Sequence, residues 1–407
     1  MKRITGLLVM VLTLIIALVG CGTSNNTNGS GNSNEKITIT FGFWGAAEDL
    51  KIYQGAAKEI SNEYPNITLK VKQYPSSEQF WNNLPGEIAA GVAPDFIKIS
   101  NEGAYEYVNK GLFTSIDDDM ITSAKIDMNR YNSNGVNIWK FNDKQYGLPF
   151  NQMPAMFFIN TDMWNKAGLG DYPKTWGEVE AAAKKLTTKD VYGIGLNIQP
   201  FHITNVIKSY GGDWGNGKTI NSEENIKGLQ EILDLYKEGL AVTPKTLGYG
   251  WDGEVFANGK AAMTTGGNWY KGYLKDANPD LKYAVVPVPK GAAEASTMIS
   301  DAYVLLKDTK HKKEALQAAY YLTNESVQKA FMKLGVNPSI QSLSDQYYKE
   351  NPEFKAIEQS QASATDFAYP KETKKFTDEL VKQLEDTILG GKKKSAKEIL
   401  DDIQKQF

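Results

Sequence analysis

Apolar residues recur along this chain with two distinct periods. Ile37, Ile39, Phe41 and Phe43 alternate with Thr38, Thr40 and Gly42, the period of two expected of a strand with one buried face. Ala56, Ala57 and Ile60 then follow at helical spacing, and Ile67, Leu69 and Val71 alternate again. A further helix leads to Phe96-Ile97-Lys98-Ile99, a third strand. Strands that alternate with helices predict an α/β fold, in which ligands sit beyond the carboxyl ends of the strands.

Later segments carry their own punctuation. Thr175 and Glu178 have the spacing of a capping box ahead of Val179, Ala182, Ala183 and Leu186. Phe376, Leu380, Leu384 and Ile388 form one helical face, stopped by Gly390 and Gly391. Ser395 with Glu398 predicts a last helix carrying Ile399, Ile403 and Phe407. No internal repeat is evident.

The pattern is different at the start of the chain. Lys2 and Arg3 precede an apolar run at 7–19, broken only by Thr13 and ending in Leu18-Val19-Gly20-Cys21. The run falls short of the about 20 residues that a membrane-spanning helix needs, so it reads as a secretory leader. Cys21, the only cysteine in the sequence, closes a segment that resembles the bacterial lipobox, and the resemblance implies a diacylated N-terminus. Two acyl chains suffice for stable anchoring. Residues 22–35 are a Ser, Asn, Thr and Gly tract without an apolar side chain. It reads as a flexible tether reaching about 20 Å. The expected location is the outer face of the cell membrane, held by lipid.

With 407 residues, 41% of them apolar and 23% charged, the chain can form two soluble domains with separate cores. Its net charge of -3, more negative still once Lys2 and Arg3 leave, argues against nucleic acid as a partner. The two histidines, His202 and His311, lie far apart and no cysteine cluster exists. The expectation is therefore no metal and no cofactor.

One motif needs separate treatment. Residues 212–219 fit the phosphate-loop pattern G-x-x-x-x-G-K-[ST]. That chemistry requires a strand before the loop and a helix starting at its lysine. Here Ser209-Tyr210-Gly211 precedes, and Ile220-Asn221-Ser222 separates Lys218 and Thr219 from the next helical pattern. A glycine-rich surface turn is the better reading. Asp117-Asp118-Asp119 lacks calcium-loop spacing and reads as a solvated helix start. The sequence has no G-x-S-x-G, H-E-x-x-H or CxxC motif. Among its eight tryptophans, Trp44 and Trp269 each stand beside glycine at the end of a strand-like run. An indole so placed offers a flat apolar face that can cover a sugar ring. Asp301 stands at the mouth of the apolar strand 302–306, where a charge needs a partner. Trp81 and Trp176 open helices and read as structural.

Several segments resemble, in order, the family 1 extracellular solute-binding proteins of bacterial ABC sugar importers, the maltodextrin-binding type. They are Ala89-Ala90-Gly91-Val92-Ala93-Pro94-Asp95, Tyr146-Gly147-Leu148-Pro149-Phe150 with Phe158-Ile159-Asn160-Thr161-Asp162, Tyr172-Pro173-Lys174-Thr175-Trp176-Gly177-Glu178, and Phe256-Ala257-Asn258-Gly259-Lys260-Ala261-Ala262-Met263. The resemblance implies a two-lobed periplasmic-binding-protein-like fold of type II, with three crossovers near 150–155, 287–291 and 335–338. The implied organisation is a leader at 1–20, a lipidated N-terminus and linker at 21–36, a first lobe of 37–150 plus 290–336, and a second of 151–289 plus 337–407. It places a ligand near Trp44, Glu48, Asn101, Glu102, Asn151, Trp251, Asn268, Trp269 and Asp301, with Tyr210 a further stacking candidate. The family often has an acidic contact where this chain has Met153.

The expected function is therefore capture of a sugar or oligosaccharide by hinge closure and delivery to ABC permease subunits, by a monomer that is not an enzyme. Two alternatives stay open at this point. A surface glycoside hydrolase would use two of Glu48, Glu102 and Asp301, and a non-sugar ligand would be a polyol or glycerol phosphate.

Overall fold

The computed structural model describes residues 36–407, which form one compact unit. The leader, Cys21 and the tether through Glu35 lie outside the described residues.

Three strands open the first lobe: β1 (Ile37–Trp44), β2 (Ile67–Tyr74) and β3 (Phe96–Ser100). After a two-stranded ribbon of β4 (Lys140–Phe141) and β5 (Lys144–Gln145) comes β6 (Gly147–Pro149). The chain then leaves through β7 (Met153–Pro154) into the second lobe, built on β8 (Met156–Asn160), β9 (Tyr192–Gly195), β10 (Ala241–Val242), β11 (Ala261–Gly266) and β12 (Tyr283–Pro287). It returns through β13 (Ser296–Ile299) to β14 (Asp301–Leu305), and β15 (Ala364–Thr365) comes last. The first sheet has the order β2-β1-β3-β14-β6 and the second β10-β9-β11-β8-β12. Each is mixed: β1 runs parallel to β2 and β3, while β14 runs antiparallel to β3 and β6. A small third sheet, β15-β13-β7, joins the two crossing segments.

The alternation in β1 has the predicted cause. Ile39, Phe41 and Phe43 are fully buried on one face of the sheet against Tyr53, Phe96 and Tyr303. β8 shows why the second lobe was harder to read. All five of its residues are buried, Phe157 and Ile159 in one cluster with Trp176, Met156 and Phe158 in another with Phe256 and Tyr270. A strand covered on both faces has no polar alternate.

The predicted caps form. Thr175 Oγ1 accepts from Glu178 N while Glu178 returns to Thr175 N, and Ser395 and Glu398 repeat the pattern. Asp117 caps the helix Asp118–Ala124 through Met120 N. The helix Ala47–Glu59 closes one residue before Ile60, which stays buried in the 3-10 turn Ile60–Asn62. Residues 212–219 form a tight turn in which Gly215 N donates to the Asp213 carboxylate, and the next α-helix starts only at Glu223.

The second crossover lies later than the sequence places it. Lys290 N donates to Lys174 O, and Gly291 N and Ala293 N both donate to Ser209 O. These bonds keep 290–293 on the second lobe, and the chain crosses between β13 and β14. The three crossings lie side by side. Ser300 Oγ donates to Asn151 O over 2.8 Å, Ser339 Oγ to Pro149 O over 2.6 Å, and Gln328 Nε2 to Phe150 O over 2.8 Å.

Candidate ligand-binding cleft

One edge of the first sheet collects the chemistry. β1 ends at Trp44 and β3 at Ser100, whereas β14 runs the opposite way and starts at Asp301, the register partner of Ser100. Trp44 is half-buried against Phe80 and Trp81, with ring centroids 5.1 and 6.1 Å away. Trp81 in turn lies flat on Tyr107, 3.7 Å between centroids with the planes 2° apart. Ser100 Oγ caps the helix Asn101–Asn109 through Glu102 N, and that helix carries Glu102, Glu106 and Tyr107 to the same edge.

A cavity of about 310 Å³ opens here. Trp44, Trp81, Glu102 and Tyr107 line it from the first lobe, Pro200, Thr373 and Thr377 from the second. A larger hollow of about 580 Å³ beside Asp117 and Lys144 is bounded by residues of the first lobe alone, so hinge motion cannot close it. The 310 Å³ cavity has walls from both lobes.

Across it, the helix Pro200–Ser209 presents Pro200, with Phe201 and His202 buried behind it. Trp269, 40% exposed, starts the helix that follows β11 and meets Phe201 edge-on at 5.4 Å. Met153 is buried, its sulfur 3.2 Å from Asn268 N. The position where an acid was expected thus holds an apolar side chain that supports the loop before Trp269.

Two carboxylates of the cleft are perturbed. Burial pushes Glu102 up to about 6, opposed by His202 on the other lobe. Among the described residues its carboxylate has no hydrogen-bond partner, so it is available to a ligand hydroxyl. Asp301 is also raised by burial, against the pull of Lys98 and Asn151. Its Oδ2 accepts from Asn151 Nδ2 at 3.1 Å, while Asp301 N donates to Asn151 Oδ1 at 2.7 Å.

The remaining candidates fall in several places. Asn101 is 2% exposed and its amide is fully engaged: Oδ1 accepts from Ser300 N, and Nδ2 donates to Met298 O and Asp366 Oδ1. It ties the hinge instead of facing the cavity. Asn151 is committed to Asp301 in the same way, and Asn268 Nδ2 donates to Gly335 O at the third crossing. Glu48 is an exposed carboxylate 3.7 Å from Lys51. Tyr210 donates to Glu231 over 2.7 Å, with its ring against Gly291, both in the second lobe. Trp251 is half-buried, edge-on to Tyr270 and Tyr273. Trp81, Tyr107, His202 and Asp366 are the residues that sequence reading did not single out. The i to i+4 spacing of Glu102, Glu106 and of Gly103, Tyr107 on one helix was the signal available for Tyr107.

Residues 45–329 match the model of the family described as bacterial extracellular solute-binding protein. A putative binding protein of Brucella abortus is 25% identical over 283 residues, 66% of this chain and 68% of the relative. The arabinooligosaccharide-binding protein of Bacillus subtilis is 26% identical over 307 residues, 71% and 70% of the two chains. In three dimensions, an ABC substrate-binding protein of Listeria monocytogenes, solved in complex with cycloalternan, superposes with a TM-score of 0.81 at 23% identity. That match covers 91% of this chain and 98% of the other.

Proposed function

The chain belongs to the bacterial extracellular solute-binding protein family, and we propose that it captures a sugar or short oligosaccharide between its lobes and hands it to the permease of an ABC importer. The observation that carries this reading is the cavity bounded from both sides, with aromatic faces and an unpaired carboxylate in its wall. Aromatic faces cover the apolar faces of a sugar ring, and a carboxylate accepts from its hydroxyls. Ligand drives closure only in so far as it binds the closed state more tightly, which requires contacts from both lobes. We assign these contacts to Trp44 with Glu102 on one side and, on the other, to Trp269, which lies beside Phe201 outside the lining that Pro200, Thr373 and Thr377 form. Relatives that bind arabino-oligosaccharide and cycloalternan support the carbohydrate class.

Binding without turnover fits the state of the acids. Glycoside hydrolysis needs two carboxyls free to flank one bond, and here Asp301 Oδ2 accepts from Asn151 while Glu48 stands in solvent. Acylation at Cys21 would keep the binder beside its permease and raise its effective concentration there without a new contact.

A thermal-shift screen against neutral oligosaccharides, polyols and glycerol phosphates tests the reading. A ligand at 100 times its Kd stabilises by about 2.7 kcal/mol, a shift of a few degrees. A response confined to glycerol phosphates would replace the carbohydrate class, and reducing-end release from an oligosaccharide would replace binding with catalysis.

A further inference from the structure

Beneath Trp251 and Trp269 lies a buried polar cluster that no ligand would touch directly. Asp252, 3% exposed, stands at its centre. Its Oδ1 accepts from Asn197 Nδ2 at 2.8 Å and lies 3.1 Å from His202 Nε2, and its Oδ2 accepts from the Tyr270 hydroxyl. His202 Nδ1 completes the chain at 2.6 Å from Thr265 Oγ1. Burial pushes Asp252 up, but His202, Tyr270 and Asn197 outweigh it and leave the carboxyl at about 2. An ionised Asp252 is an acceptor only, so Nε2 of His202 must carry its proton and the ring orientation is fixed.

The five residues come from five places in the chain: the exit of β9, the helix Pro200–Ser209, the helix Asp252–Ala257, β11 and the helix Trp269–Ala277. Three of them directly follow an aromatic residue. Phe201 precedes His202, Trp251 precedes Asp252, and Trp269 precedes Tyr270. Phe201 meets Trp269 at 5.4 Å, and Trp251 meets Tyr270 of the cluster itself at 5.2 Å. Each tryptophan is folded back over a glycine: a Cβ at Gly253 or at Gly267 would stand 2.1 Å from the indole beside it.

We propose that Asp252 is the positioning residue of the second lobe's aromatic wall, holding Phe201, Trp251 and Trp269 in the arrangement that meets the ligand through His202 and Tyr270. The proposal rests on the sugar-binding reading above and adds to it a set of residues that set affinity without contacting the sugar. Its physical basis is that a binding surface is only as well placed as the groups behind it. Trp269 is exposed and Trp251 half-buried, so their rotamers depend on what is locked beneath. A buried carboxylate bonded on both oxygens supplies such a lock, because moving any partner leaves a charge unpaired.

The test compares Asp252→Asn and the milder Tyr270→Phe, which keeps the ring and removes only the hydroxyl shared with Asp252, Thr264 and Thr265, with Asn225→Ala as a control. Asn225 is another fully buried polar hub of the same lobe, bonded to Asp213 O, Thr219 O and Ile220 O away from the cleft. All three variants are expected to melt earlier. Only Asp252→Asn and Tyr270→Phe should alter the tryptophan bands of the near-ultraviolet circular dichroism without ligand, and only they should weaken binding of the parent's sugar, by about tenfold. Unchanged tryptophan bands in both, or an equal loss in Asn225→Ala, would overturn the proposal. A parent that binds no sugar defeats the functional reading alone, since the ligand-free spectra still decide this one.

Discussion

Asn101 Nδ2 donates to Asp366 Oδ1 over 2.6 Å, joining the first helix turn after β3 to a loop of the second lobe 265 residues further along the chain. The same amide accepts from Ser300 N and donates to Met298 O, so one side chain holds the strand on which the chain crosses back. Asn101→Ala would leave a backbone donor and a backbone acceptor without partners and remove one hydrogen bond from the Asp366 carboxylate. The expected cost is about 1–3 kcal/mol, seen as a lower midpoint in urea. An unchanged midpoint would mean that water replaces the amide without loss.

Glu102 sets a pH dependence whose sign is fixed. Its carboxyl titrates at about 6 in the folded protein against 4.5 as the ordinary value. The folded state therefore holds this proton more tightly, and its contribution to stability is full below about 4.5 and is lost as pH rises through 6. Glu102→Gln, which stays neutral, should gain stability relative to the parent across that window and keep a constant advantage above it. Urea titrations of both proteins at several pH values check this, and parallel profiles would contradict it.

Much of this architecture was legible in the sequence where burial is one-sided. β1 and β2 show their period of two, and the two capping boxes mark helix starts. The hinge was not legible in the same way. Asn101, Asn151, Ser300 and Asp366 acquire their roles from partners some 150 to 265 residues distant, and no local pattern records such pairings. The resemblance places Asn101 and Asn151 near the ligand, and the structure engages both amides at the crossings. Trp81 was set aside because an aromatic early in a helix looks the same whether it faces a core or a cavity. Only the stack on Tyr107 and the nearness of Trp44 distinguish it.

Tyr210 gives a negative prediction. Its hydroxyl is spent on Glu231 and its ring on Gly291. Tyr210→Phe should cost about 1 kcal/mol of stability and leave ligand affinity within about twofold of the parent, equivalent to under 0.5 kcal/mol. A larger loss in a calorimetric titration would return Tyr210 to the site.

The acylation proposed for Cys21 predicts a change of compartment. Cys21→Ala should abolish incorporation of labelled palmitate and move the protein from the detergent phase to the aqueous phase in a phase-separation assay, since one or two acyl chains govern that partition. Retention of the label would place the lipid elsewhere.

The central claim is that one ligand is held by both lobes at once. Calorimetric titration of the parent, Trp44→Ala and Trp269→Ala with the sugar found by screening tests it most directly. The account predicts one site per chain in the parent and a loss of about tenfold or more, about 1.4 kcal/mol, in each variant. Both variants should remain folded, because neither indole is fully buried. Full affinity in either folded variant would mean that the ligand rests on one lobe alone, and capture by closure would be wrong.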